Sequence, residues 1–143
     1  MKKVIIVLIL MFNYLFALDR DSTIKIYNKI ITSIFVTKKP LVYVANKEYH
    51  DILKFSKKIT IVNRAEKASI AIVTTKEELD NLKKINPNIM IFVTKENLLF
   101  YDTSVIGAFY WKKGRSQLIF IKNRLERYHI HLPKEYNQFI IEL

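Results

Sequence analysis

The sequence predicts a single three-layer α/β domain, a mixed and mostly parallel sheet with helices on both faces and an antiparallel C-terminal hairpin. Three observations predict it. The apolar runs Leu41 to Ala45, Ala68 to Val73 and Ile89 to Val93 read as strands buried on both faces. Each run passes directly into the chemistry of a helix start, as strand-helix alternation in a parallel sheet requires. The runs Val105 to Trp111 and Leu118 to Ile121 then flank Lys112-Lys113-Gly114-Arg115, a short glycine-containing connection suited to a hairpin.

The chain opens on Lys2-Lys3, an apolar run from Val4 to Phe16 broken only by Asn13, and the small residue Ala17. These are the charged, apolar and small-residue parts of a secretory signal, so residues 1–17 are expected to be a cleaved signal peptide and residues 18–143 the domain. The run falls short of the roughly 20 apolar residues that span a bilayer, and Asp19, Arg20 and Asp21 follow at once. An uncleaved anchor is the alternative.

Behind it, Ile24, Tyr27, Ile31 and Ile34 recur at helical spacing, with Asp21 or Ser22 available as a cap, and predict a helix over about 22–35. Pro40 precedes the first strand, and Ile59 to Val62 forms an additional short one. The three strand-to-helix passages share a vocabulary: Val44-Ala45-Asn46-Lys47-Glu48, Val73-Thr74-Thr75-Lys76-Glu77-Glu78 and Val93-Thr94-Lys95-Glu96. In each, an Asn or Thr stands where an N-cap belongs, and glutamate follows in the first turn, where it complements the helix dipole. Thr75 with Glu78 makes a capping box. The helices so opened carry Tyr49, Ile52 and Leu53, then Leu79 and Leu82, then Leu98 and Leu99. After the hairpin, Asn123 and Glu126 have cap spacing, and Pro133 is placed to open a last helix bearing Tyr136, Phe139, Ile140 and Leu143 on one face.

Composition bounds the function. Loss of Lys2 and Lys3 leaves 22 basic against 13 acidic residues, a net charge of +9, scattered in short pairs rather than in a block. Such a charge steers a protein toward acidic partners, but export argues against nucleic acid. The absence of cysteine excludes a disulfide framework, a thiolate metal site and a cysteine nucleophile. With only Gly107 and Gly114, no glycine-rich phosphate loop exists. His129-x-His131 lacks a third ligand at metal spacing, and no serine sits in a glycine-flanked elbow. The reading is therefore a protein that is not an enzyme and needs no cofactor or metal.

Two constellations remain. Phe109-Tyr110-Trp111 beside Lys112, Lys113 and Arg115 combines the residue types that anchor protein interfaces, so Tyr110, Trp111, Lys112, Lys113 and Arg115 are the candidate partner surface. Packing of one hairpin face on a helix is the plainer explanation of the same run. The helix starts would also converge at the carboxyl edge of the sheet, where open α/β folds bind ligands, so Asn46, Lys47, Thr75, Lys76, Thr94 and Lys95 are a candidate ligand edge. Ordinary capping accounts for those residues too.

In this order the parts resemble the YfiR-like family of periplasmic proteins. Ile24-x-Ile26-Tyr27-Asn28-x-Ile30 with Phe35 and Pro40 is similar to the family's opening helix and first strand, and Ala68 to Val73 and Asn88 to Val93 to its next strands. Gly107-x-x-x-Trp111, Gly114-Arg115, Phe120-x-x-Asn123 and Ile130-x-Leu132 are similar to its closing hairpin and helix. Phe35-Val36 stands where the family's usual Trp-Pro pair would, and the cysteines of some members are missing, so redox control does not transfer. The resemblance implies a periplasmic regulator that binds the sensory domain of an inner-membrane diguanylate cyclase and restrains cyclic-di-GMP signalling. A homodimer is a further partner state to be considered. A periplasmic receptor for a small anion or solute, resembling half of a solute-binding protein, is the alternative.

Overall fold

Four-residue apolar strands separated by amphipathic connections can bury both faces only inside a sheet, and the computed structural model, which describes residues 20–36 and 38–143, builds that sheet. The signal peptide expected at 1–17 lies outside the described residues. A first helix, α1, covers residues 20–34. It is followed by β1 (Leu41–Val44), α2 (Lys47–Leu53), β2 (Thr60–Val62), a 3-10 turn (Ala65–Lys67), β3 (Ile70–Val73) and α3 (Lys76–Ile85). Then come β4 (Met90–Val93), a 3-10 turn (Glu96–Leu98), β5 (Val105–Lys112), β6 (Arg115–Ile121), α4 (Lys122–Arg127), a 3-10 helix (Lys134–Phe139) and β7 (Ile140–Ile141).

The seven strands run in the order β2-β1-β3-β4-β5-β6-β7. From β2 through β5 the neighbours are parallel, β5 and β6 are antiparallel, and β7 joins β6 in parallel. Every residue of β3 and β4 is buried, as a central position in a sheet covered on both sides demands. The sheet separates two cores. On one face α1 and α2 cover an aromatic core in which Tyr27 meets Tyr49, Phe92 and Phe109 edge to face at 5.9, 6.0 and 6.1 Å. On the other, α3 brings Leu79 and Leu82 over the small and aliphatic Ala71, Val73, Ile91, Val93 and Ala108. Two glycines serve the hairpin in different ways. Lys113 and Gly114 both take positive φ (51° and 76°), the pairing a two-residue turn between twisted strands needs. At Gly107 a Cβ would stand 2.6 Å from the Ile119 carbonyl oxygen and 2.8 Å from the Phe120 ring, so only glycine lets β5 and β6 approach there.

The structure corrects several expectations. Leu41, expected in a strand buried on both faces, is exposed, because β1 has only the short β2 outside it. The third helix is a single 3-10 turn, and Thr94 caps nothing there. Both Leu98 and Leu99 are buried, and the chain must reach β5 within a few residues, so there is no length for an amphipathic helix. Asn123 lies inside α4 instead of capping it, since the backbone passes from the last residue of β6 straight into helix with no side-chain cap. The final helix after Pro133 is 3-10, and Ile140 belongs to a strand. Three residues per turn still place Tyr136 and Phe139 on one side, while Ile140 and Ile141 pair with Phe120 and Ile121 and cover the outer edge of β6. Leu143, expected on that helix face, is exposed.

Candidate functional site

Parallel strands β1, β3 and β4 end together, which brings the residues after them to one edge. Asn46 caps α2, its side-chain oxygen accepting the Tyr49 N–H at 3.1 Å. Thr75 caps α3, accepting the Glu78 N–H at 3.1 Å, while the Glu78 carboxylate accepts the N–H groups of Thr74 and Thr75 at 2.9 and 3.0 Å. The capping box read from Thr75 and Glu78 is thus formed in full. One N–H at the start of each helix is thus engaged, as are those of Thr74 and Thr75 just before α3. After β4, the buried Thr94 hydroxyl instead donates to the Thr74 hydroxyl at 3.0 Å and ties two strand ends together.

Between these ends and the hairpin opens a cleft of about 550 Å³. Its walls combine Asn46, Thr94 and Lys95 from the expected ligand edge with Tyr110 and Trp111 from the expected partner surface, so the fold merges the two constellations in part. Lys47, Thr75 and Lys76 do not line it. The Lys76 ammonium lies 4.8 Å from the Tyr101 ring centroid, and its hydrogen bond to Tyr101 is the main reason that its pKa is raised. Glu48, Tyr49, Thr74, Glu96 and Asn97 complete the cleft, none of them singled out by sequence reasoning as a site residue. The signal for Glu48 and Glu96 was visible only as first-turn glutamate, which a dipole explains without a site.

Alternation along β5 sorts the aromatic run. Phe109 packs on the α1 side, Tyr110 enters the α3-side core and is 7% exposed, and Trp111 is 61% exposed. A register shift decides this allocation: Val105 pairs with Ile91 but Gly107 with Phe92, so one extra residue of β5 resets which side each later residue takes. Burial, followed by the nearby Glu96 carboxylate, raises the Tyr110 hydroxyl above its ordinary pKa, with Lys112 opposing. Tyr110 therefore presents no anchor to a partner. Trp111 touches Phe109 edge to face at 6.4 Å and stands outside both cores. Lys112 pairs with Glu96 at 3.3 Å, while Lys113 and Arg115 are exposed at the hairpin end.

A second polar cluster lies at the opposite, amino edge. The buried Arg124 guanidinium donates to the Leu99 and Val105 carbonyls at 2.5 and 2.8 Å. Burial is the first cause, and Arg127 the second, that lower its pKa. Lys83 donates to the Pro87 carbonyl and the Ser104 hydroxyl, each at 2.7 Å, and pairs with Asp102 at 3.5 Å. Every one of these groups organises the loop before β5. His129 and His131 sit exposed in the connection after α4, and the described residues hold no group of three or more metal-ligating side chains. No helix of the described residues is long and apolar enough to cross a membrane.

No protein-family model matches this sequence, and neither does any curated protein. Among solved structures, the fold is similar to that of a conserved domain protein from Vibrio cholerae O1 biovar El Tor, with a TM-score of 0.61 at 12% identity over 83% of this chain. The aligned part is 59% of that protein, so this chain matches somewhat over half of its length, and the likeness is one of fold.

Proposed function

We propose that this chain is an exported regulatory binding protein that contacts the outer sensory domain of a membrane-anchored diguanylate cyclase and restrains its cyclic-di-GMP output. The observation that carries a binding role is Trp111, a large aromatic 61% exposed at the end of a hydrogen-bonded hairpin, flanked by exposed Lys113 and Arg115. Tryptophan and arginine are the residue types that most often dominate interface energies. The signal-like start and the YfiR-like order of motifs supply the compartment and the class of partner. The contact surface is then Trp111, Lys113 and Arg115, with Lys112 held against Glu96 and Tyr110 supporting the strand from within.

The test is binding of the purified chain to the immobilised outer domain of a membrane diguanylate cyclase from the same genome. Trp111→Ala with Arg115→Ala is expected to weaken capture at least tenfold, about 1.4 kcal/mol or more, with an unchanged melting temperature. Equal affinity in the folded double variant removes the hairpin from the interface. No capture by the unaltered chain sinks the regulatory reading.

The cleft favours a second reading, a small-ligand receptor, because its volume falls within the range of roughly 300–1,000 Å³ usual for ligand sites and it lies where open α/β sheets bind ligands. A ligand that binds only the folded state raises the melting temperature.

A further inference from the structure

We infer that the cleft at the carboxyl edge of the sheet is a binding site for a neutral saccharide. The inference rests on the small-ligand reading and names its ligand class. Trp111 supplies the platform: Phe109 meets it edge to face, and most of the indole remains open to solvent on the cleft wall. A sugar ring carries an apolar face of C–H groups that stacks on such a surface, ringed by hydroxyls that each need a donor or an acceptor in the ring plane.

The polar wall meets that need. Asn97 offers a carboxamide with both functions, Glu48 accepts and Lys95 donates, and the side chain of none of the three has a hydrogen bond or ion pair with another of the described residues. The Thr94 and Thr74 hydroxyls bond each other at 3.0 Å, and a pair of hydroxyls so joined keeps one proton to donate.

Charge selects against ionic ligands. Glu96 and Lys112 are paired with each other, which leaves one unpaired carboxylate, Glu48, and one unpaired ammonium, Lys95, among the described residues of the wall. A phosphate or carboxylate meets the unpaired Glu48 and finds one N–H at each helix start, those of Tyr49 and Glu78, already accepted by Asn46 and Thr75, and the N–H groups of Thr74 and Thr75 accepted by Glu78. An organic cation meets Lys95. A neutral polyol satisfies both signs at once.

Trp111 is the sole tryptophan of the chain, so its fluorescence reports the cleft directly. The unaltered protein is titrated with neutral mono- and oligosaccharides built from glucose, galactose, mannose and N-acetylglucosamine, and with sodium phosphate and tetramethylammonium chloride. At least one saccharide is expected to shift the emission to shorter wavelength saturably and to raise the melting temperature. Glu48→Gln with Asn97→Ala is expected to weaken that binding at least tenfold while lowering the melting temperature of the unliganded protein only slightly, through the lost attraction of Glu48 to the α2 dipole. Undiminished affinity in this variant overturns the cleft as the site. Saturation by phosphate or tetramethylammonium in place of any saccharide leaves the receptor reading standing and overturns the saccharide class, and no response to any probe overturns both.

Discussion

At the amino edge of the sheet the side chains of Arg124, Lys83, Asp102 and Arg127 all hydrogen-bond to loop groups, whereas at the carboxyl edge those of Glu48, Lys95 and Asn97 hold no such bond within the described residues. The first edge must organise the connection between β4 and β5, whose carbonyls turn inward and would otherwise be buried without donors. The second edge already has its helix starts capped by Asn46 and Thr75, so the longer polar side chains beyond them are not needed for folding. Polar groups that folding does not need, gathered around an exposed aromatic, are what a binding surface requires. The difference teaches that a charge count does not separate the two edges of this sheet, while side-chain hydrogen-bond occupancy does.

The largest expected effect that tests the comparison is at Arg124. Replacing Arg124 by Ala leaves the Leu99 and Val105 carbonyls without a donor in a buried loop, and should cost about 3 kcal/mol in chemical denaturation. A loss below about 1 kcal/mol would mean that the amino edge does not depend on its hydrogen bonds. Next is the cap at the carboxyl edge: Thr75→Ala removes half of the capping box and is expected to cost about 1 kcal/mol without affecting any ligand or partner. Reduced binding in that variant would place the cap inside the site.

A smaller effect is expected with pH. Burial pushes the Asp102 carboxyl upward, but the Ser104 N–H and hydroxyl together with the Lys83 ammonium outweigh it and hold the pKa below the ordinary 3.8. A carboxyl depressed by folding adds stability above its unfolded pKa and loses it as the pH falls through the folded one. The stability gap between the unaltered chain and Asp102→Asn should therefore be constant above about pH 5 and shrink below about pH 4, by about 1 kcal/mol or less. A gap that widens on acidification would reverse the assignment. The smallest change is predicted for Glu48→Gln and Lys95→Ala, each within about 0.5 kcal/mol of the unaltered stability, as befits exposed groups that fold around nothing. A larger loss would make the carboxyl edge structural like its counterpart.

Local chemistry decided what was legible early. Strand character at Ile70–Val73 and Met90–Val93, the Asn46 and Thr75 caps and the Lys113-Gly114 turn depend on neighbours within about four residues, and all were readable. The same local words after β4 did not make a helix, because burial of both Leu98 and Leu99 and the short path to β5 outweighed the N-cap vocabulary. Likewise the spacing of Tyr136 and Phe139 suits an α-helix and a 3-10 helix alike, and the exposed edge of β6 settled the matter by recruiting Ile140 and Ile141.

The candidate site shows the same division. By itself the sequence determined the residue types: an aromatic and basic hairpin, polar strand ends, and no cysteine or glycine-rich loop. Only the tertiary structure decided which of them meet. Side-by-side parallel strands set Thr74 against Thr94 across 20 residues of chain, and the register shift in β5 turned Tyr110 into the core and left Trp111 on the cleft wall. Both outcomes follow from strand pairing, a long-range choice in which a single residue of offset exchanges the faces of every side chain beyond it.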